Sequence, residues 1–124
     1  MNTPTKFPLD VEIVARGVED GYEWVAARAP MYGAVNGYVY APNPHPWAER
    51  EDLWGIPNNV PWGEITFHRD DWYGFDTLHA GQYWEGGDPR FWDEELMTEE
   101  KVIRYCKQLA RDAASAIYNG TYQI

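Results

Sequence analysis

The chain has 124 residues, a size that suits one domain and buries roughly two thirds of its unfolded surface without a disulfide or structural metal. Twenty acids against ten Lys and Arg leave a net charge of −10, which repels phosphate backbones and anionic lipid and argues against direct nucleic-acid or membrane binding. Cys106, the one cysteine, excludes an internal disulfide; with no apolar run of ~20 residues and none behind Met1–Lys6, the chain is expected to be cytoplasmic, without signal peptide or span.

Residues 1–9 carry two prolines and little pattern, and read as a loose lead-in to a single domain covering 1–124. Val11, Ile13 and Ala15 then alternate with Glu12, Val14 and Arg16. Glu19-Asp20-Gly21 supplies a tight turn, and Tyr22, Trp24 and Ala26 alternate on the way back, the signature of a hairpin. A third strand, Gly37–Ala41, stops at Pro42-Asn43-Pro44-His45-Pro46-Trp47. Prolines at alternate positions there oppose both helix and central strand, and predict a stiff extended segment that aims His45 and Trp47. Residues 48–61 read as a loop with one helical turn. A fourth strand is predicted over 63–68 and a fifth over 72–77, joined by the turn Arg69-Asp70-Asp71 and therefore antiparallel, with Tyr73 and Phe75 facing one way.

The glycine-rich stretch 80–89 reads as a loop that ends the sheet. Thr98 is then a good N-cap, followed by Glu99 and Glu100 at the positive end of a helix dipole. Val102, Cys106, Leu109, Ala113 and Ile117 recur at spacings of three and four, with Ile103 and Ala110 beside them, which predicts one amphipathic helix within 98–119 and a stop at Asn119-Gly120. The expectation is an α+β fold: an antiparallel sheet of about five strands, mostly from residues 10–79, packed against one long C-terminal helix.

For chemistry, Asp76 and His79 sit three apart at the end of the fifth strand, and His45 is held by its prolines. A carboxylate beside an imidazole can orient it for general-base work, so His45, Asp76 and His79 are the candidate catalytic residues. The same residue types can equally be turn caps and donors to carbonyls. The chain has no Gly-rich phosphate loop, no Cys-x-x-Cys pair, no nucleophile elbow and no His-Glu-x-x-His motif, so neither a cofactor nor a metal is predicted. Seven Trp are more than a small core needs. They form either loop-packing clusters or a stacking pocket in which Trp47, Trp62, Trp72 and Trp84, with His45, Asp76, His79 and Arg90, hold a planar ligand. The acidic run from Glu85 to Glu100 reads as a solvated loop and helix start, with mimicry of a DNA backbone as its sharper alternative. Cys106 lies on the apolar stripe and is expected in the core.

Gly37-Tyr38-Val39, His45-Pro46, Trp62-Gly63-Glu64-Ile65 and Gly74-Phe75-Asp76 with His79, followed by a closing helix, resemble a family of small phage and prophage proteins. That family has a Gly-Tyr-Val strand, a His-Pro pair, a His-Gly-Gly strand start and a Gly-Phe-Asp-x-x-His segment. This chain departs from it at Trp62, where the family carries His, and at Gln82, where it carries an acid. The departures shift the expectation from catalysis towards recognition. The family itself is uncharacterised; small phage proteins of this size often counter host defences, so the resemblance implies a non-enzymatic protein in the host cytoplasm that binds a small nucleotide-like ligand or a host protein, in a counter-defence role, as a homo-oligomer or alone. The alternatives are a metal-dependent or acid–base hydrolase using His45, Asp76 and His79, whose His/His/Asp chemistry would suit zinc or a similar ion, and an acidic mimic of DNA.

Overall fold

Asp20 and Gly21 take left-handed backbone (φ 51° and 84°), and this two-residue turn joins strand β1 (Ile13–Glu19) to β2 (Tyr22–Arg28). Strand β3 (Val35–Tyr40) returns antiparallel along β2. A second tight turn, Asp70-Asp71 (φ 52° and 66°), joins β4 (Phe67–Arg69) to β5 (Trp72–Phe75). Strand β5 inserts beside β3, giving a five-stranded antiparallel sheet in the order β1-β2-β3-β5-β4. Helix α1 (Glu99–Tyr122) lies across one face, so the molecule has the expected α+β layering. The computed structural model describes residues 3–30, 33–60, 64–78, 82–85 and 95–122, the last five of these by their backbone alone.

Alternation decides what each face buries. From β2, Trp24 and Ala26 face α1, together with Val35 and Val39 of β3 and Tyr73 and Phe75 of β5. They pack on the helix stripe Val102, Cys106, Leu109, Ala110 and Ala113, all fully buried. The intervening residues Val25, Ala27, Tyr38 and Trp72 face outward and form a second cluster around Phe7. The central strands are thus covered on both sides, which is why β2 and β3 read as nearly continuous apolar runs.

The lead-in has no regular element, as its prolines require, yet it is tied down. Phe7 is buried, edge-on to Tyr38 (4.8 Å) and Trp72 (5.2 Å), and the Trp72 indole donates to the Lys6 carbonyl (3.1 Å). Glu23 receives the Thr5 backbone N–H (2.8 Å) and hydroxyl.

Five expectations about elements change. Of the fourth strand predicted over 63–68, residue 63 lies outside the described residues and 64–66 are not in the strand, which is Phe67–Arg69; the fifth ends at Phe75, where its ladder partners end. The proline segment is not wholly extended: a 3-10 turn starts at Pro46 and runs to Glu49, since proline is tolerated at a first helical position where no N–H is needed. Within the stretch read as a loop, β6 (Gln82–Trp84) pairs in parallel with β7 (Glu95–Met97), a short ladder that three-residue segments do not announce by period. The helix begins as read, with the Lys101 N–H donating to Thr98 Oγ1 (3.2 Å), but it continues past residues 119 and 120 to Tyr122. A stop signal of Asn-Gly type is a preference of about 1 kcal/mol, which a helix can override.

Candidate functional site

His45 ends the proline segment and caps the 3-10 turn Pro46–Glu49. Its Nδ1 accepts the Trp47 backbone N–H (3.0 Å), so the neutral ring carries its proton on Nε2, which donates to the Ala113 carbonyl of α1 (3.0 Å). Both ring nitrogens are used, the side chain is 4% exposed, and Tyr22 and Trp47 stand edge-on to it at 5.8 and 5.0 Å. Burial lowers the His45 pKa, and the Ala113 contact offsets only part of that. His45 is a pin between a loop and the helix, on the helix side of the sheet.

Asp76 follows β5 and is half-exposed. Its carboxylate accepts the Leu78 N–H (3.3 Å) and the Thr66 hydroxyl (3.4 Å), which is a turn-capping arrangement. Burial, and after it the Asn36 contact and the Cys106 and Asp76 charges, set the Tyr38 pKa above its usual value. Asp76 follows Phe75 at one end of β5, whereas His45 follows Tyr40, which pairs with Trp72 at the other end, so the described contacts do not bring these two together. His79, Trp62 and Arg90 lie outside the described residues.

The tryptophans divide in the same way. Trp47 (2% exposed) packs edge-on to Tyr73 at 5.3 Å in the helix-side core, and Trp72 (0%) fills the outer cluster, so neither offers a stacking face. Trp84 is partly exposed, its indole donating to the Thr77 carbonyl (3.2 Å) and hydroxyl (3.1 Å). It lines a groove of about 650 Å³ with Arg28, Leu96, Met97 and the start of α1. Arg28 is already shared between Glu12 (3.3 Å) and Glu99 (2.7 Å), and Glu85 and Glu100 also line the groove. Among the described residues its carboxylates, Glu85, Glu99 and Glu100, outnumber Arg28, which is poor ground for a phosphate.

Gln82 is buried and lies 3.5 Å from the Met97 sulfur. Burial pushes the Cys106 thiol up to about 12, and its Sγ lies 3.5 Å from the Val25 carbonyl, so it is a core residue and not a nucleophile. Among the described residues, no three His, Cys, Asp or Glu are grouped so as to hold a metal ion, and no helix is long and apolar enough to cross a membrane. Of the acidic run, Glu95 pairs with Lys101 (3.0 Å) and Glu99 with Arg28, while Asp88, Asp93 and Glu94 lie outside the described residues.

Two further surface features lie among residues that the sequence marks only as loop tryptophans and alternate prolines. Trp54 stands 74% exposed, in a 3-10 turn (Leu53–Gly55) whose neighbours Leu53 and Ile56 turn inward to the core. The turn is braced by the Arg50 guanidinium, which donates to the Gly55 carbonyl (2.5 Å) and lies 3.7 Å from Asp52. At the sheet end that carries both two-residue turns, a groove of about 520 Å³ is lined by Gly21, Tyr22, Glu23, Tyr40, Pro42, Asn43 and Pro44. The signals available for these were the acidic run Glu49–Asp52 and the alternate prolines, neither of which says which way a ring points.

No family model, curated protein or solved structure matches this chain. The functional reading therefore rests on its own geometry.

Proposed function

We propose that this protein is a non-enzymatic binding module that engages a basic partner protein, a host protein on the phage-type resemblance, using Trp54 as the anchor. The observation that carries this reading is the presentation of Trp54. An indole 74% exposed is not a core residue displaced by chance, because Leu53 and Ile56 on either side fix the turn and direct the ring outward. Covering such a ring buries on the order of 150 Å² and contributes about 3–4 kcal/mol, the scale of an interface hot spot. The exposed residues just before it in the chain, Glu49, Arg50, Glu51 and Asp52, carry three carboxylates and one guanidinium, so the complementary surface is an apolar pocket with a basic rim.

A nucleotide-like ligand is the weaker reading, since the groove beside Trp84 sets several carboxylates against one committed arginine. The test is a paired capture experiment on host lysate with the wild-type chain and Trp54→Ala. Trp54 makes few contacts of its own, so the variant should melt within about 0.5 kcal/mol of wild type. A partner bound by wild type should lose about thirtyfold or more in affinity to Trp54→Ala, and should weaken in 0.5 M salt. A partner held equally by both proteins, or a melting shift with nucleotides and none with protein, would overturn the proposal.

A further inference from the structure

The groove at the turn-bearing end of the sheet is lined by two chain stretches, residues 21–23 and 40–44, which converge there for topological reasons. Strand β1 ends and β2 begins at Asp20-Gly21, β3 leaves at Tyr40, and β4 and β5 meet at Asp70-Asp71. Continuing the β2–β3 register by one residue from Trp24–Val39 sets Glu23 opposite Tyr40 on the outer face. The Tyr40 ring rests on the buried Trp72 (5.3 Å, tilted by 43°), and Tyr22 is held edge-on by the locked His45 ring. Pro42 and Pro44 are exposed, and the Asn43 N–H between them donates to Asp71 (3.3 Å), which ties this wall to the β4–β5 turn. The walls are therefore aromatic and pyrrolidine surfaces whose positions are set from behind, and side-chain ordering on binding is small.

Charge selects the occupant. Glu19 and Glu23 already pair with Arg111 (3.0 Å) and Arg16 (3.5 Å). Asp20, beside Gly21 at the groove's edge, and Asp70 and Asp71 behind Asn43 outnumber Arg69 and Lys6, so this end stays negative. Partly exposed tyrosine rings next to carboxylates favour a planar cation over an anion or a neutral apolar group. Deepening the reading of a module for basic proteins, on which it rests, we infer that this groove receives an arginine side chain from an extended segment of the partner. The arginine stem lies along Pro42 and Pro44, and its guanidinium stacks on Tyr40 within reach of the Asp20 carboxylate.

The experiment titrates the full ¹⁵N-labelled chain with Ac-Ala-Pro-Arg-Pro-Ala-NH2 and with its twin in which neutral citrulline replaces arginine. The arginine peptide should shift the amides of Gly21, Tyr22, Glu23, Tyr40 and Asn43 saturably, and the citrulline peptide should bind about tenfold more weakly. Tyr40→Leu and Asp20→Asn should each weaken the arginine peptide by about threefold or more; Asn tolerates the left-handed backbone at position 20, so the second variant changes charge without strain. Equal binding of the two peptides, or shifts that avoid these five amides, would overturn the inference. Trp54→Ala separates the two readings. If it abolishes partner capture while Tyr40→Leu leaves capture intact, the groove inference falls and the anchor stands. If Trp54→Ala captures as wild type does, the anchor falls, whatever the peptides do.

Discussion

His45 illustrates how one residue can look catalytic in sequence and be structural in space. Flanking prolines do stiffen the segment, as its sequence suggests, but stiffness sets a direction only relative to the local chain. Which side of the sheet that direction meets depends on where α1 lies, and here it meets the Ala113 carbonyl. The ring is neutral, and a proton on Nδ1 would set N–H against the Trp47 N–H. Its pKa is thus below the ordinary value of about 6.5 in the folded protein and near it in the unfolded chain. The unfolded state binds more protons in the window between the two values, so stability is complete above about pH 6.5 and is lost as pH falls towards the folded value. Melting temperature followed from pH 7 to 5 should drop for wild type. In His45→Asn, which keeps a cap acceptor for Trp47 but loses the bond to Ala113, the drop should be smaller, from a start about 1–2 kcal/mol less stable. Parallel curves for the two proteins would refute this account.

At the scale of elements, β3 and β5 are joined by a reciprocal device. Their register sets Gly37 opposite Phe75 and Tyr38 opposite Gly74. Each aromatic ring lies over the glycine across from it, Phe75 on the helix side and Tyr38 on the outer side. A Cβ at Gly37 would fall inside contact distance of the Phe75 ring and 2.7 Å from the Cys106 sulfur, while one at Gly74 would overlap the Tyr38 ring. Gly37→Ala is expected to cost about 1–3 kcal/mol through overpacking, and Gly74→Ala a similar amount, read as a fall in denaturation midpoint. If Gly37→Ala proves neutral or stabilising, the close approach does not matter in solution. The alternation of Tyr73 and Phe75 was legible in the sequence because a strand has a period of two. The pairing of glycine with aromatic was not, because it depends on register between strands some 36 residues apart.

For the whole molecule, the sheet is covered on both faces by different means. Helix α1 closes one side, and the lead-in crosses the other with Phe7 at the centre of a cluster that includes Tyr38 and Trp72. A stretch with two prolines and no period offers no strand or helix signal, and its one deeply buried side chain carries the contribution. Phe7→Ala should destabilise the fold by about 3–5 kcal/mol, measured by chemical denaturation, whereas Pro4→Ala, at an exposed position, should lie within about 0.5 kcal/mol of wild type. A small effect at Phe7 would show the outer face to be stable without its cover. Asp112 closes the helix side in a comparable way, accepting the Asn59 backbone (2.8 Å) and side-chain (2.8 Å) N–H groups from the loop that carries Trp54.

What local sequence determines here is whatever depends on period and neighbours: the hairpin at Asp20-Gly21, the α1 stripe with its Thr98 cap, the burial of Cys106 and the α+β class. Hydrophobic alternation and turn chemistry act within a few residues, and they survive into the fold unchanged. Tertiary structure alone decides which chemically suggestive residues share a face. It places His45 and Asp76 towards opposite ends of β5, buries Trp47 and Trp72, turns Trp54 outward between two inward neighbours, and gathers Tyr22, Tyr40 and both two-residue turns at one end. The physical reason is that the order β1-β2-β3-β5-β4 sets distances between residues far apart in the chain, and strand order is a property of the packed whole.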